Sequence, residues 1–150
     1  MRPGKVAVRA ALALVVGVGT AATGYAMDAS AGPQDAVGPG RVRVEIGIEH
    51  SQFSIGHLQV EEGTLVEFVV DNDDPIAHEL IVGDADVHRA HEDGSELRHP
   101  PVPGEVSVGG GDRGLTYFAF DEPGRVEFAC HLPGHVAYGM VGEIEVVQTD

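Results

Sequence analysis

The segment Arg41-Val42-Arg43-Val44-Glu45-Ile46-Gly47-Ile48 alternates polar and apolar side chains, which puts Val42, Val44, Ile46 and Ile48 on one face of a half-buried strand. Phe53 to Val60 reads as a short, irregular strand. Thr64 to Val70 is dense in β-formers and is closed by the turn sequence Asn72-Asp73-Asp74-Pro75. His78 to Val82, Val102 to Val108 and Leu115 to Phe120 are further strand-like runs. After the turn Asp121-Glu122-Pro123-Gly124 come Arg125 to Cys130 and a last strand, Val141 to Val147. Short strands separated by turn signals every ten or so residues, without helical periodicity, predict an all-β, Greek-key β-sandwich. The rhythm breaks only between Gly83 and Pro101, a segment holding His88, His91, Glu92, Glu96 and His99 and room for a short helical turn.

What precedes the first strand is of another kind. Arg2, Lys5 and Arg9 form a basic start, Ala10 to Val18 is apolar, and small residues follow, so residues 1–31 read as an export signal. Cleavage after Ala26 or after Ala31 fits equally well. The apolar stretch is short against the roughly 20 residues needed to cross a bilayer, so no membrane span is expected after cleavage. Residues 32–40 form a Gly/Pro/Ala-rich linker, and residues 41–150 are long enough for one two-sheet domain without disulfides.

Charge narrows the set of partners. The formal net charge is −15, and loss of residues 1–26, with three basic and no acidic side chains, makes it −18. The remaining chain has no lysine. Such a field excludes a nucleic-acid footprint and favours proteins with a cationic docking surface. Export to the periplasm or the cell exterior also changes the meaning of Cys130, the single cysteine. Thiols there usually pair, and an odd one is reactive, intermolecular or metal-bound.

The neighbours of Cys130 decide between these. Phe128-Ala129-Cys130-His131-Leu132-Pro133-Gly134-His135-Val136-Ala137-Tyr138-Gly139-Met140 has the form Cys-x4-His-x4-Met. Thiolate, imidazole and thioether together select copper, and one Cys, two His and a weak Met make up the blue-copper electron-transfer set. His78, opening an apolar run after a polar turn, is placed to supply the second imidazole. Pro133-Gly134 provides the bend between Cys130 and His135, and Gly139 is expected to let backbone approach closely beside Met140.

In these residues the chain resembles the cupredoxins, the small blue-copper fold of plastocyanin, azurin, pseudoazurin and auracyanin, over roughly residues 41–148. Cys130, His135 and Met140 match the ligand loop of that family, and His78 matches its upstream histidine. The x4/x4 spacing and the wording Ala-His-Glu-Leu and Pro-Gly-His-x4-Met look closer to auracyanin and to periplasmic copper-resistance cupredoxins than to plastocyanin. The resemblance implies one type 1 copper per chain held by His78, Cys130, His135 and Met140. It further implies a non-enzymatic carrier of single electrons between redox partner proteins, with copper resistance or delivery as the alternative. Tyr138 and Leu132 would frame the exposed edge of His135.

Two departures stand out. Glu79 occupies the place where many members have an Asn that ties the two ligand loops together, which puts that tie in question. His131, directly after Cys130, resembles half of the His-Cys-His element of multicopper oxidases, but Ala129 replaces the first histidine, and adjacent strand residues point to opposite faces. His131 is therefore expected to face away from the metal. His50 and His57 are read as ordinary polar positions. The segment from Gly83 to Pro101 is expected to be an exposed partner or metal-entry loop without a tight second site formed by His88, His91 and His99.

Overall fold

The structure, a computed structural model, describes residues 40–94 and 101–149. The export segment, most of the linker, and Glu96 and His99 lie outside the described residues. Among the described residues nine strands and two helices follow in chain order: β1 (Gly40–Glu49), β2 (Gln52–Phe53), β3 (His57–Glu61), β4 (Thr64–Asn72), β5 (His78–Gly83), α1 (Ala85–Asp93), β6 (Glu105–Val108), β7 (Arg113–Phe120), β8 (Gly124–Ala129), α2 (His135–Tyr138) and β9 (Val141–Val147). One sheet has the order β2-β1-β4-β7 and the other β3-β9-β8-β5-β6. The β1/β4 and β3/β9 pairs are parallel, so neither arises from a hairpin.

The alternating patterns build this sandwich directly. Ile46 and Ile48 of β1 turn inward, and Val66, Phe68 and Val70 of β4 do the same in matching register. In the other sheet, Leu58 and Val60 of β3 stand beside their register partners Ile144 and Val146 of β9. All these side chains join Leu80, Val82, Phe120 and Phe128 in a single core cluster. At about 25 cal/mol per Å² of apolar surface removed from water, such a cluster is the main force holding the sheets together.

The irregular stretch after Phe53 marks the point where the chain changes sheets. Ser54 donates its N–H to the Gly47 carbonyl (2.8 Å), and its hydroxyl accepts the Gly47 N–H (2.9 Å). That corner ends β2 on the first sheet and releases β3 to the second. The run expected from Val102 begins only at Glu105, because Pro103 cannot donate to a ladder; Val102 makes an isolated bridge back to Glu105.

The segment expected as an exposed loop is in part a helix. Asp84 caps α1 by accepting the N–H groups of Asp86 (2.9 Å) and Val87 (3.0 Å). His88 is buried at 6% exposure. The Nε2 of His88 lies 3.2 Å from the Glu127 carbonyl of β8, so α1 is fastened onto the outer face of the second sheet.

Gly142 of β9 stands opposite Phe128 of β8. A Cβ there would fall 2.0 Å from the ring, and the ring is itself wedged edge-on against Phe53 at 5.4 Å between centroids. Gly142→Ala is therefore expected to cost about 1–3 kcal/mol through overpacking. Urea unfolding of the metal-free protein checks this, and an unchanged midpoint would show that Phe128 moves freely.

Candidate metal centre

Between β8 and β9 the chain folds back on itself within eleven residues. The N–H of Cys130 donates to the Met140 carbonyl (3.1 Å), and the N–H of Met140 donates to the His135 carbonyl (3.0 Å). The short α2 lies between Gly134 at φ 87° and Gly139 at φ 104°. Both are left-handed conformations that side chains with a Cβ rarely adopt. Space is not the reason for Gly139, since a Cβ there would meet only Gln52 at an ordinary 3.7 Å; its backbone dihedral is what the loop needs. The result brings Cys130 and Met140, both fully buried, to the end of the core, with His135 half-buried above them.

His78, the first residue of β5, enters from the other side and is completely buried. Its Nε2 lies 2.9 Å from Oδ2 of Asp74. A carboxylate oxygen accepts, so Nε2 carries the hydrogen and Nδ1 keeps its lone pair. That Nδ1 is buried and, among the described residues, has no hydrogen-bond partner. Asp74 is fixed in turn by the N–H groups of His50 and Ser51, each at 2.7 Å. Burial pushes the Asp74 carboxyl up, but these two donors and His78 outweigh it and hold it below the usual carboxylate range.

One ligand atom from each of His78, Cys130 and His135 lies within 4.8 Å of the others. The Cys130 Sγ is 3.1 Å from the His135 Nδ1, and the two imidazole centroids are 4.8 Å apart. Burial pushes the Cys130 thiol up to about 11, with the Glu79 charge adding to the rise, against smaller opposing effects from the backbone of Glu79 and Leu132. Burial and the neighbouring His78 together lower the His135 pKa. The centre thus brings together two imidazoles, a thiol that burial keeps protonated and a buried thioether. An orphaned buried nitrogen costs about 1–3 kcal/mol, and a soft metal bound by these four groups would remove that cost. The donor set fits copper.

Glu79 answers the question its presence raised. Its side chain, on the outward side of β5 but covered and only 2% exposed, accepts the His131 N–H at 2.8 Å. The two loops are tied after all, by a carboxylate. His131 turns onto α1, where its Nε2 meets His88 Nδ1 at 2.8 Å. His50 and His57 are exposed, although the backbone of His50 serves Asp74. Leu132 packs partly against the core. Tyr138 stands 67% exposed near the loop tip, with Val136, Val141 and Ile76 also uncovered. The sequence reading missed Asp74, which looked like a turn residue; its four-residue spacing before His78 was the available signal.

A family model described as copper binding proteins, plastocyanin/azurin family, matches residues 40–147. The copper-resistant cuproprotein CopI of Rubrivivax gelatinosus is 34% identical over 119 residues, covering 76% of this chain and 71% of the relative. The CopI protein of Pseudomonas aeruginosa is 27% identical over 135 residues, covering 69% and 75%. Among solved structures, auracyanin B superposes with a TM-score of 0.59 at 23% identity, over 73% of this chain and 90% of that one.

Proposed function

The chain belongs to the plastocyanin/azurin family of copper-binding proteins, and from that premise we propose that it is an exported, non-catalytic cuproprotein of copper resistance. His78, Cys130 and His135 would hold one type 1 copper per chain, with Met140 as the weak fourth ligand. The observation that carries the reading is that this ligand set, buried except for half-exposed His135, lies in a chain matched over most of its length by relatives described as copper-resistant cuproproteins. Bound copper supplies a one-electron couple and a thiolate charge-transfer absorption. Everything else is done by the protein. Asp74 orients His78, Glu79 ties the loops, and the core excludes water from the sulfur. Because the thiol holds its proton up to about pH 11, loading at neutral pH releases that proton.

The test is growth in elevated copper. A strain lacking the gene should lose tolerance, the intact gene should restore it, and the Cys130→Ser gene should not. The second reading, an electron carrier, is favoured by half-exposed His135 beside the uncovered Val136, Tyr138, Val141 and Ile76. It is preferred if copper tolerance is unaffected while electron flow to a terminal acceptor falls. In either case Met140→Gln should lower the reduction potential, since a harder axial ligand favours Cu(II). Voltammetry of the loaded protein checks this, and an unchanged potential removes Met140 from the ligand set.

A further inference from the structure

We propose that His88, His91 and His131 form a second metal site, for a divalent ion of the copper and zinc class, between α1 and the outer face of the second sheet. The sequence reading expected none here. The segment is expected there as an exposed partner or metal-entry loop, whereas the structure lays two of its histidines against His131. Ring centroids of His88 and His91 are 5.1 and 5.9 Å from that of His131.

The hydrogen bonds around these rings are those of oriented ligands. The His88 Nε2 faces the Glu127 carbonyl (3.2 Å), and the His91 Nδ1 faces the Val87 carbonyl (2.9 Å). A carbonyl only accepts, so both of these nitrogens carry hydrogen, and His88 Nδ1 and His91 Nε2 are the nitrogens that the neutral rings would offer to a metal. Metal-binding histidines are fixed in this way by a backbone carbonyl on the other ring nitrogen. His88 Nδ1 and His131 Nε2 stand 2.8 Å apart as hydrogen-bond partners, a bond that a metal between them would replace. Two nitrogens at right angles on a metal, each bonded at about 2.0 Å, are also about 2.8 Å apart, the spacing of neighbouring ligands in a tetragonal copper site.

The third histidine adds a carboxylate. His91 Nε2 lies 3.3 Å from the Glu105 Oε2 of β6. A cation at this point would be shared by an imidazole nitrogen and a carboxylate oxygen. Binding by all three histidines would require α1 to shift so that this nitrogen joins the His88/His131 pair. The acidic character of the whole chain draws cations to it.

The experiment uses the full chain carrying one copper. Cu(II) is added, excess is removed by desalting, and metal content and electron paramagnetic resonance are measured. The expected result is a second retained equivalent, with the large copper hyperfine splitting of an ordinary tetragonal site, beside the first. In His91→Ala the affinity for that equivalent should fall by about tenfold or more, while the first copper and the visible band remain. A His57→Ala variant should retain both. The proposal is overturned if the parent keeps only one copper, if His91→Ala binds the second as tightly, or if His57→Ala loses it. The visible band reports the first site alone, so a failure of the type 1 reading is seen separately.

Discussion

Cys130→Ser is expected to abolish the intense visible absorption of the oxidised, copper-loaded protein while leaving the sandwich folded. The band requires a thiolate on copper, and Cys130 is the single cysteine of the chain. A hydroxyl has nearly the shape of the thiol and sits in the same setting beside the Glu79 and Leu132 backbone, so the metal-free fold should change by about 1 kcal/mol or less. The loaded forms should differ far more. A ligand at a hundred times its dissociation constant stabilises the folded state by about 2.7 kcal/mol, and this increment should shrink sharply in the variant. Visible spectra, far-ultraviolet circular dichroism and thermal unfolding with and without copper measure all three. A wild-type protein that takes up copper and stays colourless would end the type 1 assignment.

The strands were legible because the core faces of this sandwich are apolar and its turns carry Asp, Asn, Pro and Gly. The expected last strand, Val141 to Val147, coincides with β9, and Arg125 to Cys130 differs from β8 by one residue at each end. Where alternation failed, a physical reason is visible. Glu79 and Ile81 fall on the side of β5 that a period-two pattern assigns to solvent, yet both are buried, with α1 packed over that side of the sheet. The inner face of α1 includes His88 and His91, not an apolar stripe, so hydrophobic periodicity could not reveal it. A helix whose packing face is polar looks like a solvated loop until its partners are known.

The candidate site was legible to a different depth. Cys130, His135 and Met140 are close in sequence, and their chemistry is specific enough to name a metal. The groups that hold them come from elsewhere in the chain. Glu79 reaches the His131 N–H across 52 positions, a contact without any local signature. The Asp74 carboxylate reads as turn chemistry, and only the folded structure shows it shared between a ligand and the turn at His50 and Ser51.

Asp74→Ala should therefore be among the most damaging single changes outside the ligands. The carboxylate accepts three hydrogen bonds, from His50 N–H, Ser51 N–H and His78 Nε2. Neither backbone donor has an easy alternative, because His50 and Ser51 are held at φ 54° and 55°, conformations costing roughly 1 kcal/mol or more each for residues with a Cβ. At about 1.5 kcal/mol for each bond to a charged acceptor, and allowing for partial solvation of the turn, the loss is on the order of 3–4 kcal/mol. Asp74→Asn keeps one acceptor oxygen and should fall between the alanine variant and wild type. The sign of the pH dependence follows from the lowered Asp74 pKa. The ionised form is favoured in the folded state, so its contribution is full above the unfolded carboxyl range and is lost as pH falls through the lowered value. Urea midpoints of the metal-free wild type should drop toward acid more steeply than those of Asp74→Asn. Copper binding gives an independent check, since His78 without its acceptor is free to rotate or change tautomer. Asp74→Ala should bind copper more weakly and broaden the visible band, whereas equal stability, affinity and spectrum would mean that His78 is positioned by packing alone.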